Sequence, residues 1–200
     1  MSVEIVFATN NVHKLEEIRA ILGVRYTILG LGDLNLDLEI PEDHETLEEN
    51  SGQKAWFIHQ HTGMNCFADD TGLEVFALGG EPGVYSARYS KLGQPVYPEL
   101  EVTEGNIRKL LLKMNGIMDR RARFRTVISL ILDKEDFRFE GIVEGRISER
   151  PMGEKGFGYD PVFIPEGSER SFAQMDLEEK NRISHRARAV SALAQFLSEM

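Results

Sequence analysis

At 200 residues the chain can bury one sizeable core and is too short for a multi-domain assembly. Its formal net charge of −10, from 33 acidic against 23 basic residues, repels nucleic acid and anionic membrane, so a phosphate ligand would need local cations or a metal. One cysteine excludes an intramolecular disulfide, no apolar run approaches the roughly 20 residues of a spanning helix, and the opening Met-Ser-Val-Glu lacks a basic leader, so a cytoplasmic protein is expected.

Residues 3–8 form a short β-branched run that stops at Thr9-Asn10-Asn11, which is strand followed by turn chemistry. From Val12 the period changes to a helical stripe of Val12, Leu15, Ile18 and Leu22, with Gly23 in the place of a C′ residue. A weak strand is expected at 37–40, leading into a Pro41-Glu42-Asp43 turn. Thr46 and Glu49 then have capping-box spacing for a helix whose inner face carries Leu47, Ser51, Ala55 and Ile58. Cys66-Phe67-Ala68 reads as a brief strand closed by an acidic turn at Asp69-Asp70-Thr71-Gly72, with 73–78 resuming as a short strand or hairpin. Pro82-Gly83 marks a loop, and 89–105 is the expected irregular insertion. Ile107, Leu110, Leu111 and Met114 predict a helix ending near Gly116. The strongest strands, 123–132 and 137–143, pair as a hairpin across a Lys134-Glu135-Asp136 turn. A glycine-rich loop at 153–159, a short strand at 162–164 and a last helix striped by Ala187, Val190, Leu193, Ala194 and Leu197 complete the chain. Helices between strands, without an internal repeat, predict an α/β protein of three layers or two lobes.

Four constellations could carry chemistry. Thr9, Asn10, Asn11 and Lys14 stand at a strand-to-helix junction, where unpaired backbone N–H groups and partial positive charge suit a phosphate. A plain helix cap would use the same residues, and no glycine run makes this a Walker loop. Asp69 and Asp70 follow an apolar strand. If the strand continues through both, alternation lets only one face a given cleft, which would make that one catalytic or metal-bound and the other structural. A solvated Asp turn would account for the pair equally well. Magnesium prefers one or two carboxylates plus phosphate oxygens and water, so Asp70 with Glu42 would suffice. In Gly156-Phe157-Gly158-Tyr159-Asp160 aromatics alternate with glycines, offering a stacking face for a base, although a tight turn whose rings belong to the core would use the same residues. Last, Ser184 is an expected N-cap, which puts His185 and Arg186 at the positive end of the final helix, where basic residues are unfavourable unless an anion or a polar ligand occupies the site; a solvated basic turn offsetting Glu178 and Glu179 is the alternative.

Together with Glu49-Asn50 and Lys54-Ala55, Ala68 to Leu73, Leu78 to Arg88, and Lys180 before Ser184-His185-Arg186, these motifs occur in order across nearly the whole chain. The sequence thereby resembles the inosine/xanthosine triphosphate pyrophosphatase family. That resemblance implies an α/β fold with a long, twisted mixed β-sheet flanked by helices, two lobes and a central active-site cleft, formed by 1–200 as one domain, and a homodimer. It implies hydrolysis of ITP, dITP and XTP to the monophosphate and pyrophosphate. Thr9, Asn10, Asn11, Lys14 and Lys180 would hold the triphosphate, and Glu42 and Asp70 would bind Mg²⁺ with help from Asp69. Asp70 would also be the general base. Thr71 stands where the family usually has Ser. Phe157 would stack on the purine, Gly158, Tyr159 and Asp160 would shape its pocket, and His185 with Arg186 would recognise the 6-oxo group. Two departures stand out: Glu154-Lys155 replaces smaller uncharged residues, and 91–103 is longer than the common family loop. A catalytically silent nucleotide sensor and a phosphatase using the same metal site are the competing readings; the intact acids and lysines weigh against the sensor.

Overall fold

The structure, a computed structural model, describes residues 3–22, 26–95 and 97–199, so the position of Gly23 falls outside it. Among the described residues seven strands form one mixed sheet: β1 (Val3–Phe7), β2 (Tyr26–Leu29), β3 (Cys66–Val75), β4 (Pro82–Gly83), β5 (Arg121–Leu132), β6 (Glu135–Ile147) and β7 (Phe163–Pro165). Their order is β2-β1-β3-β5-β6-β7, with β4 on β3. The β1 pairings with β2 and β3 are parallel, whereas β4 on β3 and β7 on β6 are antiparallel. Among the described residues five α-helices accompany the sheet: α1 (Val12–Leu22), α2 (Leu47–Thr62), α3 (Val102–Lys113), α4 (Leu177–Ile183) and α5 (His185–Glu199). This is the expected α/β class. The chain divides into two compact units, the first made of Met1–Asp70, Thr126–Gly141 and Ser184–Met200, the second of Thr71–Arg125 and Ile142–Ile183.

The first unit has three layers. Ile5, Phe7, Phe67, Ile128 and Leu130 bury one face of the sheet against Ile18 and Leu22 of α1 and Ala189, Val190 and Leu193 of α5. Val6, Ala8, Cys66, Ala68 and Ile131 bury the other face against Ala55 and Ile58 of α2. Neighbours in sequence thus go to opposite sides, as the pleat requires. In the second unit Leu73, Val75, Phe124, Val143, Tyr159, Phe163 and Phe172 form a separate core with Ile107, Leu110 and Met114 of α3.

Several local expectations are corrected. Residues 36–40 make no strand; Leu36, Leu38 and Ile40 instead lay their side chains against the α2-side core from an irregular backbone. The strand is β2, whose Tyr-Thr-Ile-Leu run had the right composition. Val12 is exposed, and the buried face of α1 carries Glu17 with Ile18 and Leu22. The acidic turn is no turn, because β3 runs unbroken through Asp69, Asp70, Thr71 and Gly72. Gly72 permits this locally, since a side chain there would come within 2.7 Å of the Gly83 carbonyl of β4. The insertion is shorter than expected: a 3-10 segment covers Ser86–Lys91 and α3 starts at Val102. The β5–β6 turn is Asp133-Lys134, both at positive φ, as a two-residue hairpin matching the strand twist requires.

Candidate active site

Alternation along β3 separates the two acids by face. Asp69 shares the Phe67 side and meets α1 and α5; Asp70 shares the Cys66 and Ala68 side and meets α2. Lys14 Nζ donates to Asp69 at 2.9 Å, and Arg186 Nε donates to it at 3.3 Å while Nη1 bonds Glu17. Burial alone would raise the Asp69 pKa, but Lys14, then Arg186 and Lys54, hold it well below the usual carboxylate range. Asp69 is therefore a fixed anion. Burial lowers the Lys14 pKa, with Asp69 opposing. Arg186 is 1% exposed and Glu17 3%. A buried guanidinium at the first turn of a helix would be costly alone, and these two carboxylates resolve the conflict seen in the sequence.

Asp70 has different company. Lys54 Nζ donates to Asp70 at 3.1 Å and to Glu42 at 2.5 Å, and Asn50 Nδ2 lies 3.4 Å from the other Asp70 oxygen. Burial raises the Asp70 pKa, helped by Glu42 and opposed by Lys54 and Lys14. Lys54 is itself buried, yet Asp70 and Glu42 outweigh that burial and raise its pKa. The two acids of one dipeptide thus differ in basicity, Asp70 being the stronger base.

Helix α2 builds this side. Thr46 caps it by accepting the Glu49 N–H, although the Glu49 carboxylate takes the Thr46 hydroxyl rather than closing a reciprocal box. Asn50 and Lys54, one turn apart, share a face. The segment carrying Glu42 is latched to the helix twice: Asn50 Oδ1 accepts the His44 N–H and Nδ2 donates to the His44 carbonyl, while Gln53 binds both the backbone and side chain of Asp43. Lys54, Asn50 and Glu17 were given no role by the sequence reading. Their signal was the Glu-Asn-x-x-x-Lys-Ala spacing for the first two, and an acid beside the apolar stripe of α1 for the third.

The β1–α1 junction folds as a cap. Asn11 Oδ1 accepts the Lys14 N–H, Thr9 Oγ1 accepts the Asn11 N–H, and Asn10 Nδ2 donates to the Leu38 carbonyl. Thr9 is half-buried, and Asn10 and Asn11 are exposed. Ser184 caps α5 as expected, its Oγ accepting the Ala187 N–H. His185 is buried beside it, and the α5 first turn lies so close to β6 that any side chain at Gly141 would collide with the His185 carbonyl.

In the second unit the glycine-rich loop is braced from within. Asp160 Oδ2 accepts the Phe157 N–H at 2.8 Å and Lys180 Nζ at 2.7 Å, and that ammonium lies 4.8 Å from the Phe157 ring centre. Lys180, expected to join Lys14 at the triphosphate, is paired here with Asp160, and both are 4% exposed or less. Gly156 and Gly158 sit at positive φ, and a side chain at Gly156 would strike Asp160. Phe157 is half-buried, Tyr159 is buried, and Glu154 and Lys155 are exposed. Thr71, half-buried, begins this unit's share of β3.

Known proteins resemble the chain over nearly its whole length. The chain is 51% identical over 195 residues to a dITP/XTP pyrophosphatase of Porphyromonas gingivalis, covering 97% of each. Its fold matches the solved structure of the Staphylococcus aureus Ham1 protein with a TM-score of 0.84 at 41% identity, covering 98% of each chain. It matches a HAM1 protein from Coxiella burnetii at 0.85 and 34%, covering 99% of this chain and 100% of the other. A sequence model described as the Ham1 family matches residues 5–196, and the chain belongs to that family.

Proposed function

We infer that the protein hydrolyses non-canonical purine nucleoside triphosphates, dITP, ITP and XTP, to the monophosphate and pyrophosphate. The observation that carries this is Asp70, a buried carboxylate of raised basicity that shares one ammonium with Glu42. A base of that kind suits deprotonation of a water attacking the α-phosphorus.

The donor set fits a hard divalent cation. Glu42 and Asp70 present oxygen ligands that already converge on one positive charge. Two carboxylates are enough for Mg²⁺, an ion that takes its remaining oxygens from phosphate and water. We propose Mg²⁺ held by Glu42 and Asp70; when bound it would supply Lewis-acid stabilisation of phosphoryl charge. Asp69, engaged with Lys14 and Arg186, would act on the metal only from behind, by fixing the strand.

Thr9, Asn10, Asn11 and Lys14 would bind the triphosphate through the α1 N-terminus, whose backbone donors favour an anion. Phe157 would stack on the purine, with Gly158, Tyr159 and Asp160 shaping the pocket and Thr71 adding a hydroxyl. Lys180 would order that loop. His185 would read the 6-oxo edge, and Arg186, through its two carboxylates, would hold His185 in place. A polar pocket matched to that edge rejects a 6-amino purine because mismatched groups are left unpaired. We take 1–200 as one enzymatic domain, working as a homodimer on the nucleotide pool of the cytoplasm. No helix among the described residues is long and apolar enough to cross a membrane.

The test is product identity. Purified protein with Mg²⁺ should release pyrophosphate from ITP and XTP and little from ATP. Orthophosphate in its place would overturn the cleavage site, and saturable ITP binding without product would favour a sensor.

A further inference from the structure

We propose that Asn106 of α3 is a positioning residue for nucleoside binding, acting through the Ser86 carbonyl on Tyr159 and so on the glycine-rich loop. The inference rests on the assignment of that loop to the purine.

Asn106 is buried, and both polar atoms of its amide are engaged. Oδ1 accepts the Ser90 N–H at 2.7 Å, and Nδ2 donates to the Ser86 and Ala87 carbonyls at 3.2 Å each. The Ser86 carbonyl also accepts the Tyr159 hydroxyl at 3.0 Å, so the two side chains share one acceptor. Ser86 Oγ donates to the Gly83 carbonyl at 2.6 Å and accepts the Leu73 N–H at 2.9 Å. One residue therefore joins α3, the strand that carries Asp70, and the loop that carries Phe157.

The chemistry explains why such a joint is needed. The loop has glycines at positive φ at 153, 156 and 158, a backbone with few intrinsic restraints. Tyr159 is its one large side chain sunk into the second unit's core, and its hydroxyl is the polar end of that anchor. The segment receiving it, Ser86–Lys91, is a 3-10 stretch interrupted by a non-helical Arg88, whose hydrogen-bond geometry is poorer than that of a regular α-helix. Asn106 supplies the rigidity from the regular helix α3. Losing its donors frees the Ser86 carbonyl, and the aromatic anchor moves with it.

The test compares Asn106→Ala, Asn106→Asp and Tyr159→Phe with the parent enzyme on ITP. Asn106→Asp keeps the acceptor for Ser90 and replaces the donations to Ser86 and Ala87 by a carboxylate oxygen that repels both carbonyls. Both Asn106 variants should raise KM about three- to tenfold, as loss of one or two buried hydrogen bonds implies, with kcat held within about twofold. Tyr159→Phe should add less to KM in an Asn106 variant than alone, because both act through one carbonyl. Folded variants with unchanged KM, a fall in kcat alone, or strictly additive effects would each overturn the relay. If neither Asn106 variant folds, Tyr159→Phe decides, and an unchanged KM sinks the proposal. Absence of pyrophosphate from the parent enzyme would instead sink the functional reading on which it stands.

Discussion

The dipeptide Asp69-Asp70 places chemically identical side chains in opposite electrostatic surroundings. One is pinned by Lys14 and Arg186 below the usual carboxylate range, the other raised by burial next to Glu42. Asp70→Asn removes the base while preserving size, so turnover should fall by at least about a hundredfold with the fold intact; circular dichroism and a pyrophosphate assay check this, and near-normal turnover in a folded variant refutes the role. Lys54 lowers the Asp70 pKa. In Lys54→Met that restraint is gone, so Asp70 stays protonated to higher pH and the acidic limb of the rate profile should move upward. An unmoved or lowered limb would show that Lys54 does not set the basicity of Asp70.

Elements explain why some of this could be read in advance and some could not. The final helix was legible because Ser184 and the apolar stripe are local signals, and the cap is present as expected. The β3 strand was misjudged because two charges in succession look like a turn, and nothing local reveals that Lys14, Lys54 and Arg186 come from three helices to neutralise them. Glu17 escaped notice for the same reason: its partner Arg186 is distant in sequence. Lys180 shows the converse: a motif marks the residue, but nothing local reveals its ion pair with Asp160. At the α5–β6 contact Gly141 has no room for a methyl group. Gly141→Ala should cost about 1–3 kcal/mol through overpacking and displace the turn holding His185 and Arg186, measurable as a lower Tm together with weaker ITP selectivity over ATP. A Tm within error of the parent would contradict the close approach.

For the whole molecule, the order and spacing of motifs were enough to indicate the family, and the matches over residues 5–196 agree. The division of the chain into two compact units was not written in any composition shift, since β3, β5 and β6 each contribute to both. Stability should carry the mark of the buried ion cluster. Asp69 has a folded pKa below its unfolded value near 3.8, so it stabilises fully above that value and loses its contribution as pH falls through the folded pKa. Denaturant unfolding followed from pH 7 downward should therefore show stability declining steeply below about pH 4. Asp69→Asn should flatten that decline, and an unchanged acid slope would assign it elsewhere.

The pleat of β3 sorts Phe67 from Ala68 and, by the same rule, Asp69 from Asp70. A slip of one residue in its register would give each acid the other's cations, but would also drive the Phe67 ring into the α2 side of the sheet. Misreading the chemistry therefore means misreading the core, so a slipped chain is removed as an unfolded one before it can persist as a folded enzyme with its base and its buried anion exchanged.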